Sequence, residues 1–156
     1  MSGIAGIFKR ERDDVIESAP LCAMLNAMLN RGPDALNLWN RPGVGFGHAR
    51  LSIIDPSARA DQPMVDPNTG CCIVFDGCLV NYRQIREELE GHQYRFYTKS
   101  DTEVILKAYD FWGEHCLSKL NGQWAFAIYD AEKHRLFCAR DRFGIQPFYF
   151  ALTAEG

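Results

Sequence analysis

Two short segments of this chain are apolar throughout, without the alternation expected of a strand that has one face in water. They are Gly3–Phe8 and Cys71–Phe75, and both are shorter than a typical helix. Strands of this kind are buried on both faces, so other layers must cover the sheets that contain them. Helical patterns lie between the predicted strands along the chain. The sequence therefore predicts an α+β fold in which sheets are buried between helices.

The other elements are predicted from hydrophobic spacing, capping residues and turn residues. Ser100 and Glu103 form a predicted capping box at the start of a helix, and Gly32 is a predicted helix end. Asp76-Gly77 is a predicted tight turn, since Asp-Gly is common in hairpins. The predicted helices are Pro20–Leu29, Asn81–Leu89, the one from Asp101 onwards, and His115–Leu120. The further predicted strands are Leu36–Trp39, Val44–Ile54, Tyr94–Tyr97, Trp124–Tyr129, Arg135–Ala139 and Gln146–Ala151, with a loop at 55–70.

Ser2 is a candidate nucleophile because it follows the initiator methionine directly. Removal of Met1, usual before a small residue, would give Ser2 a free α-amine beside its hydroxyl. An N-terminal Ser can then attack with its side chain while its α-amine takes the proton. The pKa of an α-amine is roughly 7.7–8, which suits a general base at neutral pH. The alternative is that Ser2 has no catalytic role, since many intracellular proteins begin Met-Ser.

Composition excludes several classes of function. The chain has 156 residues, enough for one domain with a core, and a net charge of −3 without a basic block. We therefore expect neither a nucleic acid nor a membrane as partner. Six cysteines without a CxxC pair favour thiols in a reducing cytoplasm, and the scattering of the four histidines argues against a zinc site. We predict a cytoplasmic protein with no cofactor and no metal.

Several motifs occur in the order found in the N-terminal glutaminase domain of asparagine synthetases, which the chain strongly resembles along nearly its whole length. These domains are class II glutamine amidotransferases of the N-terminal-nucleophile hydrolase type. The motifs are Ser2–Phe8, Arg31-Gly32-Pro33-Asp34, Gly47–Asp55, Gln62-Pro63-Met64, Ser100–Leu106, Leu120-Asn121-Gly122 and Ala139–Ile145.

The resemblance implies a four-layer αββα sandwich and a single glutamine amidotransferase type 2-like domain over residues 1–156. In the family, more sheet and then an ATP-using synthetase domain follow. We therefore expect this domain to be C-terminally incomplete, to lack a synthetase domain, and to work with a synthetase domain or subunit as partner. The small-molecule partner implied is glutamine or a similar amino acid.

The resemblance also implies roles for individual residues. Ser2 matches the nucleophile, and Arg50 matches the arginine that binds the substrate α-carboxylate, a task that suits a guanidinium with two parallel donors. Asp101 matches the acid that holds the α-amine, Arg31 supports the nucleophile, and Asn81 also matches the family pattern. From the residues alone, Arg50 fits a strand-surface arginine equally well, and Asp101 fits an acid stabilised at a helix N-terminus.

The chain departs from the family in the oxyanion hole and the nucleophile. The family has Asn-Gly-Glu where this chain has Asp76-Gly77-Cys78, and Cys where it has Ser2. Gly77 can still donate its backbone N–H, but an ionised Asp76 cannot donate. Its charge would also repel the negative charge that develops on the substrate oxygen, since two like charges 4 Å apart repel by roughly 4 kcal/mol at an effective dielectric constant of 20. Cys78 replaces an acid near the substrate, and Ser2 is harder to activate than a thiol.

Two functions remain open after these comparisons of residues. The first is a glutaminase-type enzyme that binds glutamine and hydrolyses it weakly or not at all. The second is a non-catalytic structural or regulatory module that keeps the fold and serves a synthetase or cyclase partner. The three departures leave enzymatic activity uncertain and resemble the degenerate glutaminase-like domains of some cyclases related to asparagine synthetases.

Overall fold

The first sheet is formed by residues from the N-terminal third of the chain. The computed structural model describes residues 1–153. Strands β1 (Gly3–Phe8), β2 (Ala35–Arg41) and β3 (Val44–Arg50) form an antiparallel sheet in the order β1-β3-β2. Helix α1 (Ser18–Asn26) packs on this sheet through Leu21 and Leu25.

The second sheet has four antiparallel strands, and two helices cover its outer face. Its strands are β4 (Met64–Val65), β5 (Cys72–Leu79), β6 (Gly122–Asp130) and β7 (Arg135–Arg140), in the order β4-β5-β6-β7. The covering helices are α2 (Tyr82–Gly91) and α3 (Asp101–Trp112), with 3₁₀ segments at Ala58–Ala60 and Gly113–Ser118. In residues 1–153 no helix has the length and apolarity needed to cross a membrane.

Three separate apolar clusters hold the layers together. One lies between α1 and the first sheet, a second between the two sheets, and the largest between the second sheet and α2 and α3. The second cluster includes Phe46 of β3 and Val74 of β5. The order of layers is therefore helix, sheet, sheet, helix, which confirms the predicted αββα sandwich.

The alternation of side chains along β3 and β5 determines which residues reach the space between the sheets. Phe46 faces this space, so His48 and Arg50, two and four residues further along β3, lie on the same face. On β5, Val74 faces the same space, so Asp76, two residues further along, lies on that face too. The layer between the sheets therefore changes from apolar to polar toward one end.

The predicted turn at Asp76-Gly77 is wrong, because both residues lie inside β5. Asp76 pairs with Ala125 and Gly77 with Trp124 on β6. Gly77 has a φ of 140°, and a Cβ atom there would come within 2.1 Å of the carbonyl oxygen of Gln123. Glycine is needed at this position because β6 approaches so closely, not because the chain reverses.

Two predicted strands are absent from the structure. At Tyr94–Tyr97 the backbone does not pair with a strand; the Glu103 carboxylate instead accepts hydrogen bonds from the N–H groups of Tyr97 and Thr98. Residues 146–151 are irregular, and they include Pro147, which has no N–H to donate.

The predicted end of the first helix also differs from the structure. Helix α1 ends at Asn26, with Ala27 as its C-cap, so Gly32 is not its end signal. A Cβ atom on Gly32 would lie 2.1 Å from the carbonyl oxygen of Ala49. Gly32 therefore permits the chain to pass close to β3.

Candidate functional site

A cleft of about 190 Å³ opens at the polar end of the layer between the sheets. It receives residues from β3, from β5, from the start of α3 and from the chain before β1. Six of the eight predicted site residues line it: Ser2, Arg50, Asp76, Gly77, Cys78 and Asp101.

Ser2 is held at both its backbone and its side chain. Its Oγ accepts a hydrogen bond from the N–H of Leu51 at 3.1 Å, and its carbonyl oxygen accepts one from Arg31 Nε at 2.9 Å. The Ser2 hydroxyl hydrogen stays available for donation. Met1 lies in the same cleft, where its Sδ accepts a hydrogen bond from Gln146 Nε2 at 2.8 Å. Ser2 gains an α-amine only when Met1 is removed.

Asp76 is a buried carboxyl group with one cationic partner. Its Oδ2 lies 2.8 Å from Arg31 Nη2, while its Oδ1 is buried without a hydrogen-bond partner among the described residues. Burial raises the pKa of Asp76. The Arg31 guanidinium, the N-terminal amine and the backbone N–H of Ser2 act in the opposite direction with smaller effect. The surroundings therefore favour the uncharged form of this carboxyl group more than water does.

Arg50 is buried and already holds a carboxylate of its own chain. Its Nη1 donates to the carbonyl oxygen of Ser57 at 3.1 Å and to Asp61 Oδ1, and its Nη2 donates to the carbonyl oxygen of Asp55. The guanidinium lies in the cleft. A ligand carboxylate would have to displace Asp61 or share the guanidinium with it.

Asp101 and Cys78 lie near each other at the N-terminus of α3. Asp101 is the first residue of the helix, and its Oδ2 accepts a hydrogen bond from the N–H of Leu79 at 3.0 Å. Burial raises the pKa of Asp101. The Cys78 side chain is exposed, and partial burial, with the charge of Asp101, raises the pKa of its thiol.

The two supporting residues lie in different places. Arg31 is outside the lining of the cleft but joins Ser2 and Asp76 through its two contacts. Asn81 lies away from the cleft. Its side chain donates to the carbonyl oxygen of Lys119 at 2.9 Å and accepts from the N–H of Asn121 at 3.0 Å, which ties α2 to the start of β6.

The polar residues of the cleft that were not predicted as site residues include the buried side chains of His48, Gln62 and Gln146. Gln62 Oε1 accepts from the N–H of Phe75 at 2.6 Å, so this side chain extends the hydrogen bonding of β5. The alternation from Phe46 to Arg50 could have indicated His48. Gln62 lies in the motif Gln62-Pro63-Met64, but no role was assigned to it, and no local signal marks Gln146. In residues 1–153, no group of three or more His, Cys, Asp or Glu side chains is arranged to bind a metal ion.

Comparison with known proteins gives a consistent result over the whole chain. The sequence model of the glutamine amidotransferase domain family matches residues 1–156. Asparagine synthetase [glutamine-hydrolyzing] 3 of Bacillus subtilis is 39% identical over 158 aligned positions, which cover all of this chain and 25% of the relative. Asparagine synthetase B of Escherichia coli is 35% identical, covering all of this chain and 28% of the relative.

The chain therefore spans about a quarter of the length of these relatives. Among solved structures, a glutamine phosphoribosylpyrophosphate amidotransferase from B. subtilis matches 88% of this chain and 31% of its own with a TM-score of 0.55. At 22% identity, this match supports the fold alone.

Proposed function

Because this chain belongs to the glutamine amidotransferase domain family, as a domain of the asparagine-synthetase type, we propose that its cleft binds glutamine. We further propose that the cleft hydrolyses glutamine weakly or not at all. Arg50 and Asp101 would bind the α-carboxylate and the α-amine, and the side-chain carboxamide would lie near Ser2. The burial of both charged side chains in one cleft supports this assignment.

Hydrolysis of glutamine by Ser2 needs two steps. The Ser2 hydroxyl attacks the carboxamide carbon while the α-amine takes its proton, and ammonia leaves with that proton as the ester forms. Water then cleaves the ester and releases glutamate. In the first step negative charge develops on the carboxamide oxygen, and the backbone N–H of Gly77 is the donor available to it.

One observation carries the proposal of weak hydrolysis: Asp76 lies buried beside Ser2, where the family has an asparagine. When ionised, Asp76 adds negative charge at the position where the oxyanion forms. The loss of one oxyanion donor typically lowers kcat by about 10²–10³. Arg31 offsets part of the charge, since its Nη2 lies 2.8 Å from Asp76 Oδ2. Ser2 adds to the loss because it is a weaker nucleophile than the cysteine of the family.

The second candidate function is a non-catalytic module that serves a synthetase or cyclase partner. The pairing of Arg50 with Asp61 supports this alternative, because the guanidinium is held by a carboxylate of its own chain. In either case we propose a single glutamine amidotransferase type 2-like domain over residues 1–156. We also propose that it works with a synthetase domain or subunit in the cytoplasm.

Two measurements on the mature protein test the proposal. Intact mass establishes that Ser2 is the first residue, and calorimetry with glutamine measures binding. Arg50→Lys should weaken binding strongly because a lysine cannot make two parallel hydrogen bonds to a carboxylate. Arg83→Lys is a matched control on the exposed surface of α2 and should leave binding unchanged.

Ammonia release from glutamine then measures hydrolysis. We expect binding with little or no ammonia release. Rapid turnover would overturn the proposal of a weak catalyst. No heat at millimolar glutamine, with a folded protein, would overturn glutamine binding and favour the non-catalytic module.

A further inference from the structure

His48 lies at the boundary between the apolar layer and the cleft. It is fully buried on β3, on the same face as Phe46 and Arg50, and it lines the cleft. Phe46 belongs to the apolar cluster between the sheets, whereas Arg50 belongs to the polar cleft. A fully buried imidazole at this boundary needs partners for both of its ring nitrogens.

The partner of one ring nitrogen determines the role of the other. His48 Nε2 lies 3.3 Å from the carbonyl oxygen of Phe75. A carbonyl oxygen only accepts hydrogen bonds, so Nε2 carries the hydrogen, and Nδ1 of the neutral ring presents a lone pair. Burial lowers the pKa of His48 to about 4, so the ring is neutral at pH 7. Nδ1 is buried, and no described residue donates to it.

A buried acceptor without a donor is costly, which indicates that a ligand or water completes it. We propose that His48 Nδ1 accepts a hydrogen bond from the side-chain carboxamide N–H of bound glutamine, an inference that rests on the proposed function. His48 is then a positioning and specificity residue. A carboxylate or an ester offers no hydrogen to Nδ1, so the contact would favour glutamine over glutamate.

The strand register supports a contact near the reacting group. Ile4 of β1 pairs with His48 of β3, and Ser2 lies two residues before Ile4. Ser2 is therefore a diagonal neighbour of His48, and Cα atoms in this relation are about 7–8 Å apart. In this proposal, a carboxamide in contact with Ser2 Oγ lies beside the His48 ring, which lines the same cleft.

The test compares glutamine with the γ-methyl ester of glutamate, which has the same α-groups but no N–H in its side chain. Ser2→Ala serves as the parent protein, with loss of Met1 confirmed by mass, so that neither ligand is hydrolysed. His48→Gln keeps a donor for the Phe75 carbonyl and removes the acceptor at Nδ1. His48→Asn retains a polar group at the Nδ1 position. Melting curves confirm that each variant is folded.

We expect His48→Gln to raise the Kd for glutamine about tenfold, the typical effect of one lost hydrogen bond. The Kd for the ester should change by less than about twofold, and His48→Asn should recover part of the affinity for glutamine. In the parent, the ¹⁵N resonance of His48 Nδ1 should shift with glutamine but not with the ester.

Equal weakening of both ligands by His48→Gln would overturn this inference while leaving glutamine binding intact. An unchanged affinity for glutamine would overturn it in the same way. Absence of binding by either ligand to the folded parent would overturn the proposed function itself, and the role of His48 with it.

Discussion

Arg31 Nη2 lies 2.8 Å from Asp76 Oδ2, and Arg31 Nε donates to the carbonyl oxygen of Ser2. One guanidinium therefore joins the candidate nucleophile to Asp76, another residue that departs from the family. An asparagine at position 76 would offer its oxygen to Arg31 and its amide hydrogens to the cleft. Asp76 instead leaves a buried Oδ1 without a partner in residues 1–153, at the place where the amide would donate.

The first prediction concerns how Asp76 affects stability as pH changes. Burial raises the pKa of Asp76 in the folded protein, so the folded state binds more protons than the unfolded state above the ordinary carboxyl pKa. Its contribution to stability is then complete at low pH and is lost as pH rises through the folded pKa. We therefore expect Asp76→Asn to stabilise the protein increasingly as pH rises from about 4 to 7.

Thermal melting of Asp76→Asn and the parent over this range measures the effect. The difference in melting temperature should grow with pH. A constant difference, or one that shrinks, would contradict the direction of the pKa change and would indicate that Arg31 fully compensates the buried charge.

The second prediction concerns Asp61, which forms an ion pair with Arg50. Asp61→Asn removes a negative charge that competes with the ligand α-carboxylate for the guanidinium. We expect tighter glutamine binding, by about two- to fivefold, comparable to a single partly exposed ion pair. Calorimetry at low and high salt measures it. Weaker binding would instead mean that Asp61 orients Arg50 for the ligand.

The third prediction concerns the start of α3, which carries Asp101. Ser100 Oγ accepts a hydrogen bond from the N–H of Glu103 at 3.3 Å, as predicted for an N-cap. Ser100→Ala should therefore lower the free energy of unfolding by about 1 kcal/mol. Urea unfolding measures this loss. Ser118→Ala, on an exposed 3₁₀ segment, should change it by less than about 0.5 kcal/mol.

What the sequence could predict depended on how local the determining contacts are. The cap of α3 is set by residues three apart, and Ser100 acts as predicted. The carboxylate of Glu103 does not complete the capping box, since it instead binds the N–H groups of Tyr97 and Thr98. That same contact explains why no strand forms there. The sequence therefore predicted the N-cap of α3, but it did not predict that the Glu103 carboxylate binds the preceding backbone instead of Ser100.

The polar contacts of the cleft join residues far apart in sequence. Arg50 pairs with Asp61 across a loop, and His48 reaches the carbonyl oxygen of Phe75 on the other sheet. Both depend on how the two sheets stack, which hydrophobic spacing does not specify. The resemblance named eight candidate residues, whereas the structure was needed to show which six line one cleft and which partners they have.

The last prediction concerns restoration of hydrolysis. Ser2→Cys alone should restore little activity because Asp76 still opposes the oxyanion. Asp76→Asn alone should also restore little because the serine nucleophile remains weak. The double variant should release ammonia faster than the product of the two single effects, since nucleophile and oxyanion hole act as one unit. Cys78→Glu should increase the rate further if an acid there helps to hold the substrate.

Ammonia release by the parent, the two single variants, the double variant and the triple variant measures this series, with the free terminus confirmed by mass. Asp76→Asn also keeps an oxygen for Arg31, so the contact at 2.8 Å can persist and the fold should survive. Effects that simply multiply would show that Ser2 and Asp76 act independently. Inactivity of the folded double and triple variants would place the defect elsewhere in the cleft, with Arg50 and its partner Asp61 as the first residues to test.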